Sequence, residues 1–221
     1  MPRLLYKKLQ KNKAMTEELR TPKTQVQRKE EAVRKILDAA IELIAQRGVK
    51  DLTMAEIGIH AGYSRGLPHQ HFGSKENLIQ AVLQSIIEKF SQRRKTKKHA
   101  ADGVESIKSL FSTYLDRDPA AWQISKAFII LISDASLAGG PHRDFINRLH
   151  KKNVAFIVKH LQIARRGRAQ PGDIKDHTLA VILMSSMRGL ALQALTDSEM
   201  NFKEVETAMN RILDKLLGDD S

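Results

Sequence analysis

The side chains able to perform catalysis or bind a metal are scattered along the chain. Six of the eight histidines are candidate ligands or general bases: His60, His69, His71, His142, His150 and His160. Their spacings do not place them on one helix face together with carboxylates, as a zinc site requires. No Ser-His-Asp arrangement can be inferred from residues so dispersed, and the chain has no cysteine to act as a nucleophile or thiolate ligand. The sequence therefore predicts a protein that is not an enzyme and needs neither a cofactor nor a metal.

The charge of the chain points to a binding function instead. Residues 1–98 contain 21 Lys and Arg against 10 Asp and Glu, whereas residues 99–221 contain 16 against 15. The basic surface is therefore N-terminal. Double-stranded DNA is the leading partner because each phosphate that a protein neutralises releases counterions. A solvated basic surface without a partner is the alternative on charge alone.

The elements that position these charges begin with an arm. Residues 1–27 are polar and Lys-rich and contain Pro22, which predicts a basic, flexible N-terminal arm. From Glu30 onward, apolar residues recur at helical spacing until Gly48. We expect a first helix that ends at this glycine.

Two short helices and a longer one follow. Thr53 and Glu56 have the spacing of a capping box, which predicts the start of a second helix. Gly62 breaks this helix, and Ser64 can cap a third short helix that runs to about residue 71. A fourth helix is predicted from Ser74.

The short turn between the second and third helices, around Gly62, brings these two helices close together. Small residues are needed where the backbones meet, and Gly58 and Gly62 meet that need. A glycine inside a helix costs about 0.8–1 kcal/mol relative to alanine, so its presence at position 58 indicates close packing of the third helix. Ile57, Leu67 and Phe72 are expected to close the small core.

Residues 52–78, LTMAEIGIHAGYSRGLPHQHFGSKENL, resemble the DNA-binding segment of the TetR family of transcriptional regulators. The shared features are a threonine that opens helix 2, an Ala-Gly turn, a serine-led recognition helix with a His-Phe end, and Ser-Lys-Glu-Asn-Leu at the start of helix 4. With helix 1, the match covers about residues 30–80. The resemblance implies an all-α fold. A three-helix helix-turn-helix domain over residues 28–76 would be followed by a larger helical effector-binding and dimerisation domain over residues 77–221.

The resemblance also implies that residues 64–71 lie in the major groove of DNA. Arg65 is the best candidate for a bidentate contact to guanine, and Gln70 for one to adenine. Leu67 or Pro68 is expected to touch a thymine methyl group. Gly66 completes the groove-facing set. Phosphate contacts are expected from Thr53, Ser64, His69, His71 and Lys75.

Two positions in the recognition helix depart from the commoner family pattern. His69 stands where tyrosine is frequent, and Pro68 lies inside the predicted helix. Proline in a helix interior costs about 3 kcal/mol, but in the first turn its missing N–H has no helical partner to lose. The regular helix is therefore predicted to begin near Gly66 or Leu67.

Two apolar segments near the C-terminus predict a dimer. The segment from His177 to Thr196 is apolar nearly all round, so it must be covered on more than one side. The last helix, from Val205 to Leu217, has apolar residues spaced at three and four. The resemblance implies a four-helix homodimer interface whose twofold symmetry matches a palindromic operator. A monomer with a well-buried helix is the alternative. The apolar stretch is interrupted by Arg188 and is not a membrane span.

The resemblance further implies an effector pocket among the middle helices. Apolar candidates for its lining are Phe111, Tyr114, Trp122, Phe128, Leu131, Phe156, Met184 and Met187. His150 or Arg188 is available for a polar group on the ligand. Each of these residues could instead belong to the core. An apolar lining favours a hydrophobic or amphipathic ligand.

The expected function is a cytoplasmic repressor that a small, hydrophobic effector releases from a palindromic operator. The basic N-terminus lacks the apolar run of a secretory signal. Activation instead of repression is left open. The competing function is a nonspecific architectural DNA-binding protein, whose binding would ignore sequence and fall steeply with salt.

Overall fold

The computed structural model describes residues 24–96, 102–138, 142–166, 174–197 and 199–217. Within these ranges the regular structure is helical and no strand occurs, which confirms the expected all-α fold. No helix in this part of the chain combines the length and apolarity needed to cross a bilayer. The helices are α1 Gln25–Arg47, α2 Met54–His60, α3 Leu67–Phe72, α4 Lys75–Thr96, α5 Val104–Tyr114, α6 Pro119–Ala138, α7 Arg143–Ala164, α8 Asp176–Gln193 and α9 Phe202–Leu217.

Helix α1 begins earlier than its apolar pattern predicts, at Gln25 instead of Glu30. The Thr24 hydroxyl accepts the Gln27 N–H at 3.2 Å, and the Gln27 side chain accepts the Thr24 N–H at 2.9 Å. This capping box adds a polar turn before the helix reaches the core, so periodicity could not reveal it. The predicted arm therefore overlaps α1 at its last residues, and residues 1–23 lie outside the described ranges. The end of α1 is as predicted, because Gly48 adopts φ +86° and donates its N–H to Ile44.

Helix α1 forms the centre of the N-terminal half. Its buried residues include Ile36, Ile41 and Ile44, and it packs against α2, α4 and α6. The Lys89 ammonium of α4 lies 3.0 Å from Asp38, and the His60 imidazole of α2 lies 2.9 Å from Glu42. Apolar burial supplies most of the stabilisation, since exposed ion pairs contribute only about 0–1 kcal/mol.

Helices α2 and α3 approach each other most closely at Gly58. A Cβ atom on Gly58 would lie 2.5 Å from the Ser64 carbonyl oxygen and 3.0 Å from Pro68 Cδ. The turn is closed by the Tyr63 N–H, which donates to the Gly58 carbonyl at 2.9 Å, and by Gly62 at φ +78°. The predicted requirement for glycine at position 58 is thus confirmed, and its cause is the carbonyl and proline ring opposite.

Helices α4 to α9 form a larger bundle that shares one continuous apolar core with α1 and α2. Three aromatic rings, Phe90, Tyr114 and Phe128, lie at its centre with centroids 5.4–5.9 Å apart. An ion pair links α5 to α9: the ammonium of Lys108 on α5 lies 2.6 Å from Asp214 on α9, and it also lies 2.9 Å from Glu105 on its own helix. Helix α4 runs unbroken from the helix-turn-helix into the bundle.

Replacing Gly58 by alanine is expected to lower the free energy of unfolding by about 1–3 kcal/mol, the usual cost of overpacking. The gain in helix propensity, about 0.8–1 kcal/mol, offsets part of this loss. Urea denaturation followed by circular dichroism measures the difference. Gly66→Ala is the matched control, since Gly66 lies in the same turn with open space around it and no positive φ. Its stability should change by less than about 0.5 kcal/mol. Equal losses for both variants would contradict the steric explanation.

Candidate DNA-binding surface

The recognition segment presents a polar face to solvent. Ser64, Arg65, His69 and Gln70 are exposed, as is the backbone at Gly66. Leu67 and His71 are half-buried and belong to the sides of α3. The eight predicted residues 64–71 therefore lie together on one short turn and helix. Arg65 and Gln70 supply several hydrogen-bond donors there, and His69 and His71 supply two imidazoles.

The start of α3 differs from the prediction that Ser64 caps it. The helix begins at Leu67, within the predicted range, and Gly66 precedes it without a side-chain cap. Ser64 contributes its carbonyl oxygen, which accepts the Leu67 N–H at 3.2 Å. Its hydroxyl is three residues from the helix start, and the intervening turn is closed by backbone atoms alone.

Pro68 occupies the second position of α3, where a missing N–H removes no helical hydrogen bond. Its ring is buried against Gly58 of α2. The ring packs the two helices together, so little of Pro68 is accessible for the predicted contact of Leu67 or Pro68 with a thymine methyl group. Leu67, which is half-buried, is the apolar side chain that retains some exposure at this position.

Thr53 serves as the cap of α2, as its spacing from Glu56 predicts. The Thr53 hydroxyl accepts the Glu56 N–H at 3.2 Å and donates to the Glu56 carboxylate at 2.8 Å. The same carboxylate accepts the Thr53 N–H at 3.1 Å, and Arg47 lies 3.0 Å away. The Thr53 hydrogen bonds, followed by Arg47, lower the pKa of Glu56. Both donors of Thr53 are thus directed at Glu56 in the free protein.

Lys75 has a structural contact that its sequence position did not reveal. Its ammonium donates to the carbonyl oxygens of Val49 at 2.9 Å and Lys50 at 3.2 Å, which follow α1. Two of its three N–H donors are therefore engaged with backbone. No sequence signal marks this contact, because any residue type supplies a carbonyl.

The first turn of α4 holds the end of α3. Ser74 Oγ accepts the Asn77 N–H at 3.2 Å, as a helix cap does. The Asn77 amide in turn donates to the carbonyl of Phe72, the last residue of α3, at 2.9 Å. Asn77 is thus a positioning residue, a role beyond its predicted place at the start of helix 4.

A second candidate site is a cavity of about 240 Å³ within the bundle. Four of the ten predicted pocket residues line it: Tyr114, Phe128, Met184 and Met187. The wall formed by α4 includes Ile87, Phe90 and Arg94, and none of these three was among the predicted pocket residues. Their spacing of three and four residues marked a buried helix face, but periodicity does not distinguish a core from a cavity wall.

The other predicted pocket residues lie elsewhere. Phe111 and Leu131 are buried in the core. The Trp122 ring lies 3.9 Å from the Arg117 guanidinium and 6.1 Å from the Phe202 ring, near the start of α9. Phe156 contacts the Arg94 guanidinium at 4.4 Å and so lies behind the cavity wall.

His150 and Arg188 are close neighbours in the bundle. His150 lines a separate groove of about 570 Å³ between α7 and α8. Burial, followed by the charge of Arg188, lowers the pKa of His150 to about 4, so the imidazole is neutral at pH 7. Elsewhere His60 pairs with Glu42, and the described residues contain no group of three or more potential ligands that could hold a metal.

Comparison with known proteins identifies the helix-turn-helix. Residues 36–82 match the family model of bacterial regulatory proteins of the tetR family. The HTH-type transcriptional regulator BetI of Brucella anthropi is 29% identical over 140 residues, which cover 60% of this chain and 70% of that protein. Such relatives are transcriptional regulators, which confirms the expectation that the chain is not an enzyme.

Solved structures agree over most of the chain. A protein from Rhodococcus sp. described as a TetR-family transcriptional regulator has a TM-score of 0.73 at 21% identity, covering 86% of this chain and 100% of that one. AibR in complex with isovaleryl coenzyme A and operator DNA has a TM-score of 0.63 at 22% identity, covering 84% and 98%. The matched segment, its regulator relatives and the shared fold lead to one conclusion: residues 36–82 form a helix-turn-helix of the TetR family, and this chain is a DNA-binding transcriptional regulator.

Proposed function

We propose that this regulator is a homodimeric repressor that binds a palindromic operator and is released when a small effector occupies the cavity in its helical bundle. The observation that carries the proposal is the exposed polar face of α3, held by Gly58 and by Asn77 at its two ends. The similarity to AibR, whose structure contains both an acyl coenzyme A and operator DNA, supports an effector-responsive mode.

The division of DNA contacts follows from exposure and hydrogen bonding. Arg65 and Gln70 are exposed on the recognition segment and can reach base edges, where Arg prefers guanine and Gln prefers adenine. Ser64, His69 and His71 are placed to contact flanking phosphates. Thr53 reaches a phosphate only by giving up a bond to Glu56, and Lys75 keeps one donor for this role.

The proposed dimer interface lies on α8 and α9. Four large apolar side chains are exposed there, Val181, Ile182 and Leu192 on α8 and Ile212 on α9. Covering exposed apolar side chains such as these removes apolar area from water, which favours association. Gly189 lies on the same helix with open space where a side chain would stand, so a partner helix can approach closely.

Helix α4 provides the proposed link between effector and DNA. We assign residues 28–76 to DNA binding and 77–221 to effector binding and dimerisation, with α4 crossing this boundary. The first turn of α4 holds α3 through Asn77, and Ile87, Phe90 and Arg94 of the same helix line the cavity. A ligand that shifts α4 therefore changes the position of α3, and with it the spacing of the two recognition helices of a dimer.

The purified full-length chain should enrich a palindrome from a random pool of DNA duplexes at near-physiological salt. Competition of the enriched duplex against scrambled DNA, repeated at several salt concentrations, measures specificity. A nonspecific architectural protein would show no enriched sequence and equal affinity for both duplexes. That result would replace the proposed function by the architectural alternative.

Arg65→Ala is expected to leave stability unchanged and to lose discrimination of about 1–3 kcal/mol at one base pair. Lys75→Ala should weaken binding to all sequences alike, and it should also lower the melting temperature because the carbonyls of Val49 and Lys50 lose their donor. Binding assays with the enriched duplex and its single-base variants separate the two effects. A uniform loss of affinity for Arg65→Ala would contradict its role in base recognition.

Ile182→Glu combined with Leu192→Glu should convert the dimer into a monomer, because two charges would be buried at the interface. Sedimentation measures the mass, and the variant should bind the palindrome no better than a half-site. Leu137→Glu is the control, since Leu137 is an equally apolar residue on α6 and is 89% exposed. A double variant that sediments like the parent chain would place the dimer interface elsewhere.

A further inference from the structure

The cavity in the bundle has an asymmetric charge. Its described lining contains two cationic side chains, Arg94 of α4 and Lys152 of α7, and no carboxylate. The remaining walls are apolar or neutral, with Phe128, Met184 and Met187 on one side. The field inside such a low-dielectric site attracts negative charge.

Arg94 is only partly hydrated. Burial lowers the pKa of its guanidinium, and the group stacks on the Phe156 ring at 4.4 Å. No carboxylate of the described residues forms an ion pair with it. Since arginine keeps its proton at any physiological pH, this charge persists beside the cavity.

Two hydroxyl groups in the cavity wall lack partners. Thr113 is 1% exposed and Tyr114 is 5% exposed, and neither hydroxyl has a hydrogen-bond partner within the described part of the chain. A buried polar group without a partner costs about 1–3 kcal/mol. Both residues line the cavity, so a ligand there can supply the missing acceptor.

Arg188 extends this polar region toward α8. Its Nε and Nη2 atoms are buried without hydrogen-bond partners among the described residues, and the same holds for Nε2 of His150. Burial lowers the pKa of Arg188 and raises that of Tyr114, while the charge of Arg188 opposes the rise at Tyr114. The two side chains therefore lie within electrostatic range of each other, and no carboxylate of the described residues contributes to the pKa of Arg188.

We propose that the effector of this regulator is a small amphipathic anion, of the class of short- and medium-chain carboxylates. This inference rests on the proposed effector function of the cavity. The carboxylate accepts hydrogen bonds from the Thr113 and Tyr114 hydroxyls and pairs with one of the lining cations, Arg94 or Lys152, or with Arg188 beyond Tyr114. The alkyl chain packs against Phe128 and the methionines of α8. The volume of about 240 Å³ is below the usual range for ligand pockets, about 300–1,000 Å³, which favours a short chain.

Calorimetry on the full-length protein with three probes of equal chain length tests the proposal: octanoate, octanol and octylamine. Octanoate is expected to bind about 10- to 100-fold more tightly than octanol, the value of one charge-assisted hydrogen bond in a buried site. Octylamine should bind more weakly than either, because its ammonium would face the cationic side chains of Arg94 and Lys152. Equal or tighter binding of octanol or octylamine, or no binding of octanoate, overturns the proposal.

Three variants identify the cation that pairs with the carboxylate. Arg94→Met and Lys152→Met each remove a cation that lines the cavity, and Arg188→Met removes the neighbouring guanidinium. At least one of the three should lose most of the preference for octanoate over octanol. Arg188→Met should also be at least as stable as the parent chain, since a buried charge without a carboxylate partner among the described residues is replaced by an apolar side chain. Arg211→Met, on the exposed surface of α9, is the control and should keep the preference. If all three variants keep it, the proposal is overturned.

Binding to DNA is measured separately with the enriched duplex, so that the two proposals fail in distinguishable ways. If octanoate binds but the affinity for DNA does not change, the proposed ligand class is supported and the proposed effector role of the cavity is contradicted. A chain that binds no DNA sequence specifically still yields a decisive calorimetric result. Release of the duplex by octanol but not by octanoate supports an effector site and contradicts an anionic effector.

Discussion

The packing of α4 against α1 is the constraint on which the rest of the structure depends. Leu78, Ile79, Val82, Leu83 and Ile86 form the buried face of α4. Burying such side chains stabilises a fold by about 1.5–3 kcal/mol each, so this face holds the helix far more firmly than its exposed ion pair with Asp38. Because the helix is continuous, the residues that hold α3 and those that line the cavity belong to one rigid element. The length of α4 therefore sets the distance between α3 and the cavity.

The helix-turn-helix could be predicted from the sequence because its determinants are local. Thr53 and Glu56 are three residues apart, and their reciprocal hydrogen bonds depend on little beyond that spacing. Gly58 is costly in a helix, so its presence alone indicated the close approach that the structure contains. Pro68 was placed correctly in the first turn of α3, but its burial was not foreseen, since the same approach that requires Gly58 also covers the proline ring.

The cavity could be predicted only in part because its walls come from distant segments. Tyr114, Phe128, Met184 and Met187 were identified by residue type, whereas Arg94, in the last turn of α4, was not among the predicted lining residues. Lys75 illustrates the same limit at the DNA-binding surface. Its contact with the carbonyls after α1 depends on how two helices are placed, and no side-chain pattern encodes a backbone acceptor. Hydrogen bonds between residues close together in the chain can thus be predicted from the sequence, whereas those between distant segments cannot.

The unpaired polar groups around the cavity connect stability to regulation. Within the described part of the chain, Arg188, Tyr114 and Thr113 have buried polar atoms without a protein partner, and a buried polar group left without a partner costs about 1–3 kcal/mol. A ligand that satisfies them stabilises whichever conformation brings them together around it. Such a ligand regulates DNA binding only if it binds the two conformations of the protein with different affinity. That condition is met where the cavity wall moves with the recognition helix, and α4 is the element that belongs to both. In the proposed mechanism, the polar cluster gives the affinity for the ligand, and the continuity of α4 converts ligand binding into a change at the DNA.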